Sequence, residues 1–336
     1  MIKLTKSTTA RTFCALLALG AMAAGTAAAS STASAAGSIG ITMMGKPVAA
    51  DSAPIYAQGR VLVPLRAVSE AMGAEVSWNQ ATQTASVTKW TEQMSLKIGQ
   101  QVAVIERQFG EGSSKETVKL DVPLKAVHNR IYIPLRFVSE QFGYNVAWDG
   151  HTVAIRSPLS EKARTTLYGG DLAAARKLAI EAARQSNVQY EHPPLQKTYR
   201  WEMNDDEYLF PEGEALRFFV IKDSQIATYY EYRNDFLVAV WQGRLNPNDG
   251  DAVGHLLQDK LADRTGPAPK IDKAFLYYDV GFAGSASWTS SGRAGKDGKL
   301  ETTAYRNDSG GVVSTKGTIA LALPNETRKE TVAMPR

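Results

Sequence analysis

The chain has 336 residues, with 38 basic and 34 acidic side chains, a formal net charge of +4 and an apolar fraction of 44%. Lys3, Lys6 and Arg11 sit in an N-terminal leader that contains no acid, so its removal takes the charge from +4 to +1. This near-balance argues against nucleic acid, which demands a strong basic field, while the apolar content suffices for packed cores in two domains.

In chain order, the basic residues of the leader precede the apolar run Phe13 to Leu19, the pattern of a secretory signal peptide over residues 1–36. Small residues offer cleavage after Ala27-Ala28-Ala29 or Ser34-Ala35-Ala36, the second being favoured. The apolar run falls short of the roughly 20 residues a membrane span needs, and no later segment approaches that length. The only cysteine, Cys14, lies in the leader at the wrong end for a lipid anchor, so the mature chain is read as free of disulfides and thiol chemistry. Leu323-Pro324-Asn325-Glu326-Thr327 is near to a sortase signal, but its threonine is one place late and no apolar tail follows.

A repeat organises the next 120 or so residues. Val61-Leu62-Val63-Pro64-Leu65-Arg66-Ala67-Val68-Ser69-Glu70-Ala71-Met72-Gly73 returns as Ile131-Tyr132-Ile133-Pro134-Leu135-Arg136-Phe137-Val138-Ser139-Glu140-Gln141-Phe142-Gly143, and Val76-Ser77-Trp78-Asn79 as Val146-Ala147-Trp148-Asp149. In each copy a β-branched run ends in proline, whose fixed φ and missing N–H suit a first helical position. Leu65, Val68 and Met72, or Leu135, Val138 and Phe142, then give the helix one apolar stripe, and Gly73 or Gly143 stops it. An extended run to Trp78 or Trp148, a turn, and a strand over 84–88 or 152–156 complete a strand-helix-strand-strand unit. Arg66/Glu70 and Arg136/Glu140 read as i,i+4 pairs on a solvated face, and both tryptophans as core anchors beside Val76 and Val146.

These motifs, with Gly59-Arg60 or Asn129-Arg130 upstream, resemble the N-terminal domain of copper amine oxidases over residues 38–157. The resemblance implies a stalk-like domain without copper ligands, joined in many exported proteins to unrelated partners. It implies location and modularity, and no reaction.

Ser157-Pro158 marks a boundary, and residues 158–336 read as a second domain. Ser160 starts a helix that Gly169-Gly170 interrupts, and Asp171 caps another with Leu172, Ala175, Leu178, Ala179 and Ala182 on one face; together they resemble one tetratricopeptide-like hairpin. Strands are predicted over 198–203, 215–221, 225–232 and 236–242, with hairpin turns at Lys222-Asp223-Ser224 and Arg233-Asn234-Asp235. Asp251 caps a helix carrying Val253, Leu256, Leu257 and Leu261, and further strands follow over 274–280, 285–290, 300–305 and 317–323. The fold class is therefore α+β, a duplicated strand-helix-strand-strand module followed by a second α+β domain with a curled antiparallel sheet.

Chemistry is harder to find. Thr228-Tyr229-Tyr230-Glu231-Tyr232 lacks the Asn-Tyr-Glu/Asp order of a quinone-forming tyrosine, and His128, His151, His192 and His255 are isolated, so the copper enzyme is excluded. No catalytic, cofactor or metal residues are assigned, and no nucleophile elbow, zinc helix or phosphate loop is present. Asp205, Asp206, Glu207, Glu212 and Glu214 read as a solvated loop, with calcium binding or paired-carboxylate hydrolysis as alternatives. Aromatic residues crowd the strands, and Tyr230, Tyr232 and Trp241 are the candidate ligand surface on otherwise core-filling strands. The expectation is a secreted or cell-wall-associated protein without catalysis, binding an extracellular protein or cell-wall polymer; the alternative is an extracellular hydrolase of glycan or peptide using the carboxylates near Asp205 to Glu214.

Overall fold

The structure, a computed structural model, describes residues 39–110, 112–185, 188–198, 203–246 and 250–335. The leader, Tyr199, Trp201 and most of the strand predicted over 198–203 lie outside the described residues.

Strand Arg60–Pro64 runs into helix α1, Leu65–Ala71, then into strands Glu75–Asn79 and Thr84–Lys89. The same order recurs as Arg130–Pro134, helix α2, Leu135–Gln141, and strands Asn145–Trp148 and Thr152–Arg156. Both predicted stripes are buried, and Gly73 and Gly143 take φ of 77° and 80° just past the helices. Each proline stands one place earlier than expected, as the residue before the helix, because Pro64 is still paired with Tyr132 and Pro134 with Leu62. That pairing is antiparallel and centred on Val63 opposite Ile133. Two exposed ion pairs flank it, Arg60 to Asp121 at 2.7 Å and Arg130 to Asp51 at 2.8 Å.

Strands Glu92–Lys97, Val102–Phe109 and Gly112–Lys119 continue Glu75–Lys89 into a five-stranded meander. Strand Gly40–Met43 pairs in parallel with Thr152–Arg156 and closes the ends of this part together. Trp78 is half-buried against the core, whereas Trp148 is 45% exposed, which corrects its reading as a core anchor. It lies at the end of Asn145–Trp148, the edge strand of its four-stranded sheet.

Helices α3, Glu161–Gly169, and α4, Leu172–Ala183, follow with the expected caps: Ser160 accepts from the Ala163 N–H and Asp171 from the Ala174 N–H. Beyond them a curled sheet orders its strands Gln189–Tyr190, Phe236–Arg244, Ile226–Arg233, Arg217–Lys222, Met203–Pro211, Phe275–Ala283, Ala286–Ala294, Leu300–Ser309 and Val312–Lys316. The short strand Asp263–Thr265 pairs with Phe236–Arg244. The hairpin turns close with positive φ at Asp223-Ser224 and Asn234-Asp235, the handedness that matches strand twist. Helix α5, Ala252–Leu257, is capped by Asp251 through the Gly254 N–H and buries Val253, Leu256 and Leu257; Leu261 falls after its end.

One core cluster runs from Val63, Leu65 and Ile133 through to Val238, Trp241 and Leu256, and residues 37–336 form a single compact unit. At the seam, Phe236 lies edge-on to Trp90 at 5.3 Å and to Tyr144 at 4.9 Å. Its ring passes so close to Gly143 that a Cβ there would sit 3.1 Å from Cε1.

Two predictions are corrected in the second half of the chain. Residues 317–323 form no strand; the last strand is Val312–Lys316, and the chain then continues outside any strand or helix as a strap, with a turn at Pro324-Asn325. Helix α4 buries Leu172, Ala175 and Ala179 as expected, but its buried stripe is turned to take in Arg176, Ile180 and Ala183 and leaves Leu178 and Ala182 half-buried. Arg176 explains both. Its guanidinium is wholly buried, and all five N–H groups are met: Nε donates to the Glu214 carbonyl, Nη1 to the Leu321 carbonyl and Glu326 Oε2, Nη2 to the Pro211 carbonyl and Glu326 Oε1. Glu326 in turn accepts from the Gly213 and Leu323 N–H groups. The near-sortase sequence is thus part of an internal clamp, and carboxylate hydrogen bonds replace the strand ladder expected there.

Because removing one partner strands a buried charge, Arg176→Ala or Glu326→Ala should each cost about 3–5 kcal/mol in urea unfolding. The paired change Arg176→Met with Glu326→Leu should cost less than either, and Arg66→Ala, on the exposed 3.8 Å pair with Glu70, no more than about 0.5 kcal/mol.

Candidate functional site

The acidic run predicted as a solvated loop is instead the interior strand Met203–Pro211, held between Arg217–Lys222 and Phe275–Ala283. The apolar half of this strand, Tyr208-Leu209-Phe210, is fully buried and carries the acids into the sheet with it. Alternation puts Asp205, Glu207 and Leu209 on one face and Asp206, Tyr208 and Phe210 on the other. Glu207 stands directly opposite Asp279, which sequence reasoning did not single out.

Asp205, Glu207 and Asp279 therefore converge. Asp279 is 9% exposed and accepts from Trp288 Nε1 at 3.3 Å and Ser290 Oγ at 3.4 Å. Asp205 Oδ1 and Glu207 Oε2 are shut off from solvent without a hydrogen bond of ordinary geometry among the described residues, although Asp205 lies beside Asp279 and Glu207 beside Tyr277. Burial, then the charges of Asp205 and Asp279, pushes Glu207 up to about 8. Burial and the Asp205 charge push Asp279 up to about 8, and burial first, then Asp206 and Asp223, raise Asp205. Glu207 and Asp279 are thereby shifted toward the protonated form, the state in which a carboxyl group donates.

The remaining acids are spent elsewhere. Asp206 accepts from the Tyr208 hydroxyl at 3.0 Å, and Glu212 pairs with Arg293 at 2.7 Å. Burial alone would raise Glu214, but hydrogen bonds from Arg217 and Lys273 hold it below the ordinary carboxylate range. Among the described residues no three His, Cys, Asp or Glu side chains are arranged to hold a metal ion.

The candidate aromatic surface is placed differently from the acids. Tyr230 and Trp241 are 2% and 3% exposed and belong to separate core clusters, while Tyr232 packs half-buried beside Tyr230. A bulge between Tyr229 and Tyr230 shifts the register against Phe236–Arg244, with Tyr229 opposite Trp241 but Tyr230 opposite Ala239. Tyr230 does line a cleft of about 1230 Å³ at the seam, together with Arg107, Gln141, Arg184, Tyr190 and Lys222. A second cleft, of about 1220 Å³, lies beside α1 and is lined by Met43, Arg66, Trp78 and Arg130 among others.

Sequence reasoning also missed Lys89. Its Nζ lies 4.3 Å from the Trp90 ring and 4.5 Å from those of Tyr144 and Phe236, and donates to the Tyr144 hydroxyl at 2.9 Å. Burial lowers it to about 7 against the opposing charge of Glu92, while the three aromatic faces favour its ammonium form. The only sequence signal was the Lys89-Trp90 pair itself, since Tyr144, just before strand Asn145–Trp148, and Phe236, at the start of Phe236–Arg244, are distant in the chain.

Residues 42–156 match the family described as copper amine oxidase N-terminal domain, about a third of the chain. No curated protein sequence matches the chain. The side chains present do not fit a copper centre: His128 is in a turn, His151 precedes strand Thr152–Arg156, His192 lies beside Gly266, and His255 is on α5.

The carboxylates make stability depend on pH. Their folded values lie above the ordinary value near 4, so the folded state holds the extra protons, and the contribution is complete in acid and lost as pH rises toward 8. Lys89 contributes no slope below about 7, where it is protonated in both states. The melting temperature should therefore fall between pH 5 and 7, and fall less in Asp279→Asn.

Proposed function

We propose that residues 42–156 form a duplicated, stalk-like module of an exported envelope protein, and that this module carries a non-catalytic curled-sheet domain that binds a cell-wall polymer. The match to a stalk-type domain family carries the reading. Duplication draws support from reciprocity, since Val63 meets Ile133, Arg60 meets Asp121 and Arg130 meets Asp51, with the members of the two halves offset by 70 residues throughout. Export draws support from the basic and apolar leader. The shared core at Phe236 favours a module and a sheet domain that act as one body, so that a ligand held on the sheet is held rigidly with respect to the stalk.

The test is sedimentation of residues 37–336, the compact unit, with isolated Gram-positive cell wall. Saturable retention in the pellet is expected; complete recovery in the supernatant, with an unchanged melting curve, would overturn the reading. Since Trp241 is buried, the variant that probes the surface is Lys222→Ala in the seam cleft, which should weaken retention.

A hydrolase is the second reading, favoured by the convergence of Asp205 and Glu207 with Asp279. Five acids were candidates, and only two of them join the cluster; the other three are paired with a tyrosine or with cations. Dye-labelled wall and peptide should show no release above a boiled control. Release abolished by Asp279→Asn would establish the hydrolase instead.

A further inference from the structure

The cross-strand register extends the carboxylate cluster into a continuous face. Glu207 stands opposite Asp279, Asp279 opposite Ser290, Ser290 opposite Tyr305, and Tyr305 opposite Lys316. In the neighbouring row Asp205 is opposite Gly281, Gly281 opposite Trp288, Trp288 opposite Asn307, and Asn307 opposite Ser314. Directly opposed residues point to one side of a sheet, and so do residues two apart on a strand, so both rows share a face. It slopes from exposed Asn307, Ser314 and Lys316, through half-buried Tyr305 and Trp288, down to the acids.

Three features of this face are chemical. The indole of Trp288 lies across Gly281, where a Cβ would come within 2.3 Å of Cζ2, so the missing side chain at 281 is what lets the ring lie there. Its Nε1 is fixed on Asp279. The charged groups that act on the acids are themselves acids: Asp206 and Asp223 on Asp205, Asp251 on Glu207, and the three on one another. Asp223 is already neutralised by Lys197, and Lys316 stands at the far end of its row, beyond Tyr305 and Ser290.

We propose that this face binds a glycan bearing free amino groups, with a glucosamine ring packed on Trp288 and its ammonium directed to Asp279 and Asp205. The inference rests on the wall-polymer reading above and names its ligand class. An indole face takes the apolar C–H side of a pyranose, a cation supplies the counter-charge that lets carboxyl groups flanked by other acids ionise, and Tyr305 and Asn307 supply hydrogen bonds to hydroxyls further out. An N-acetylated sugar has the same ring without the charge, and thus separates shape from electrostatics. When the ammonium arrives the acids ionise, so binding releases protons.

Titration calorimetry of residues 37–336 with the glucosamine tetramer and with its N-acetylated counterpart tests this. Saturable binding of the first is expected, about tenfold or more weaker for the second, and weakened about tenfold by Trp288→Ala and by Tyr305→Ala. If Trp288→Ala does not fold, Tyr305→Ala and the exposed Asn307→Ala carry the comparison. Absence of binding, equal binding of the two tetramers, or binding indifferent to Tyr305→Ala and Asn307→Ala would each overturn the proposal. Wall retention without tetramer binding would sink this inference and leave the envelope reading standing; loss of both would remove the two together.

Discussion

A guanidinium taken out of water must place five N–H groups on protein acceptors or destabilise the fold that buries it. Arg176 meets this demand with two carboxylate oxygens and three carbonyls drawn from four places in the chain. The turn after Met203–Pro211, helix α4 and the terminal strap are thereby fixed to one point. Arg176 also lies over the Phe210 ring at 5.3 Å, so the same side chain ties that point to the sheet interior. The strap continues outward from it: Glu330 accepts from the Leu216 N–H, and Arg328 donates to the Gly170 carbonyl at the end of α3. The curled sheet thus has one face backed by helices and strap.

The other face is where the two halves meet. Phe236, at the tip of a hairpin, fills the space that Gly143 leaves open, and Lys89 occupies the middle of the aromatic group around it. A hydrophobic seam of this kind leaves the match to a stalk-type family intact while changing its mechanical meaning: the region is packed against its neighbour and shares its core. The carboxylates sit farther along the same face of the sheet, Asp205 and Glu207 half-buried and Asp279 buried, and their raised proton affinities follow first from that burial.

Features decided within a few residues were legible in the sequence. Ser160, Asp171 and Asp251 cap their helices through the N–H three residues on, the hairpin turns close at the predicted tripeptides, and the stripes Leu65/Val68/Met72 and Leu135/Val138/Phe142 are buried. What failed depended on distant partners. Arg176 falls within the buried stripe of α4, yet a charge in a helix reads as solvated unless its partner is known, and Glu326 lies 150 residues away. Asp205 and Glu207 read as loop because composition outweighed the apolar residues that follow; a strand starting at 203 was signalled only by Tyr208-Leu209-Phe210. Trp148 shows the converse, since alternation assigns a face but says nothing of whether a neighbour covers it. Of the candidate site, the acids were visible and their meeting with Asp279 was not, because that depends on strand order.

The span of the Arg176 clamp also bears on how this part of the domain closes. Contacts between residues 150 apart form late, since the loop must close before the contact rewards it. Until residue 326 has been synthesised, α4 has a charge on its inward face with no counter-charge, and packing that helix onto the sheet is unfavourable. The helix face that carries Arg176 is therefore completed last, when the strap with Glu326 closes over it.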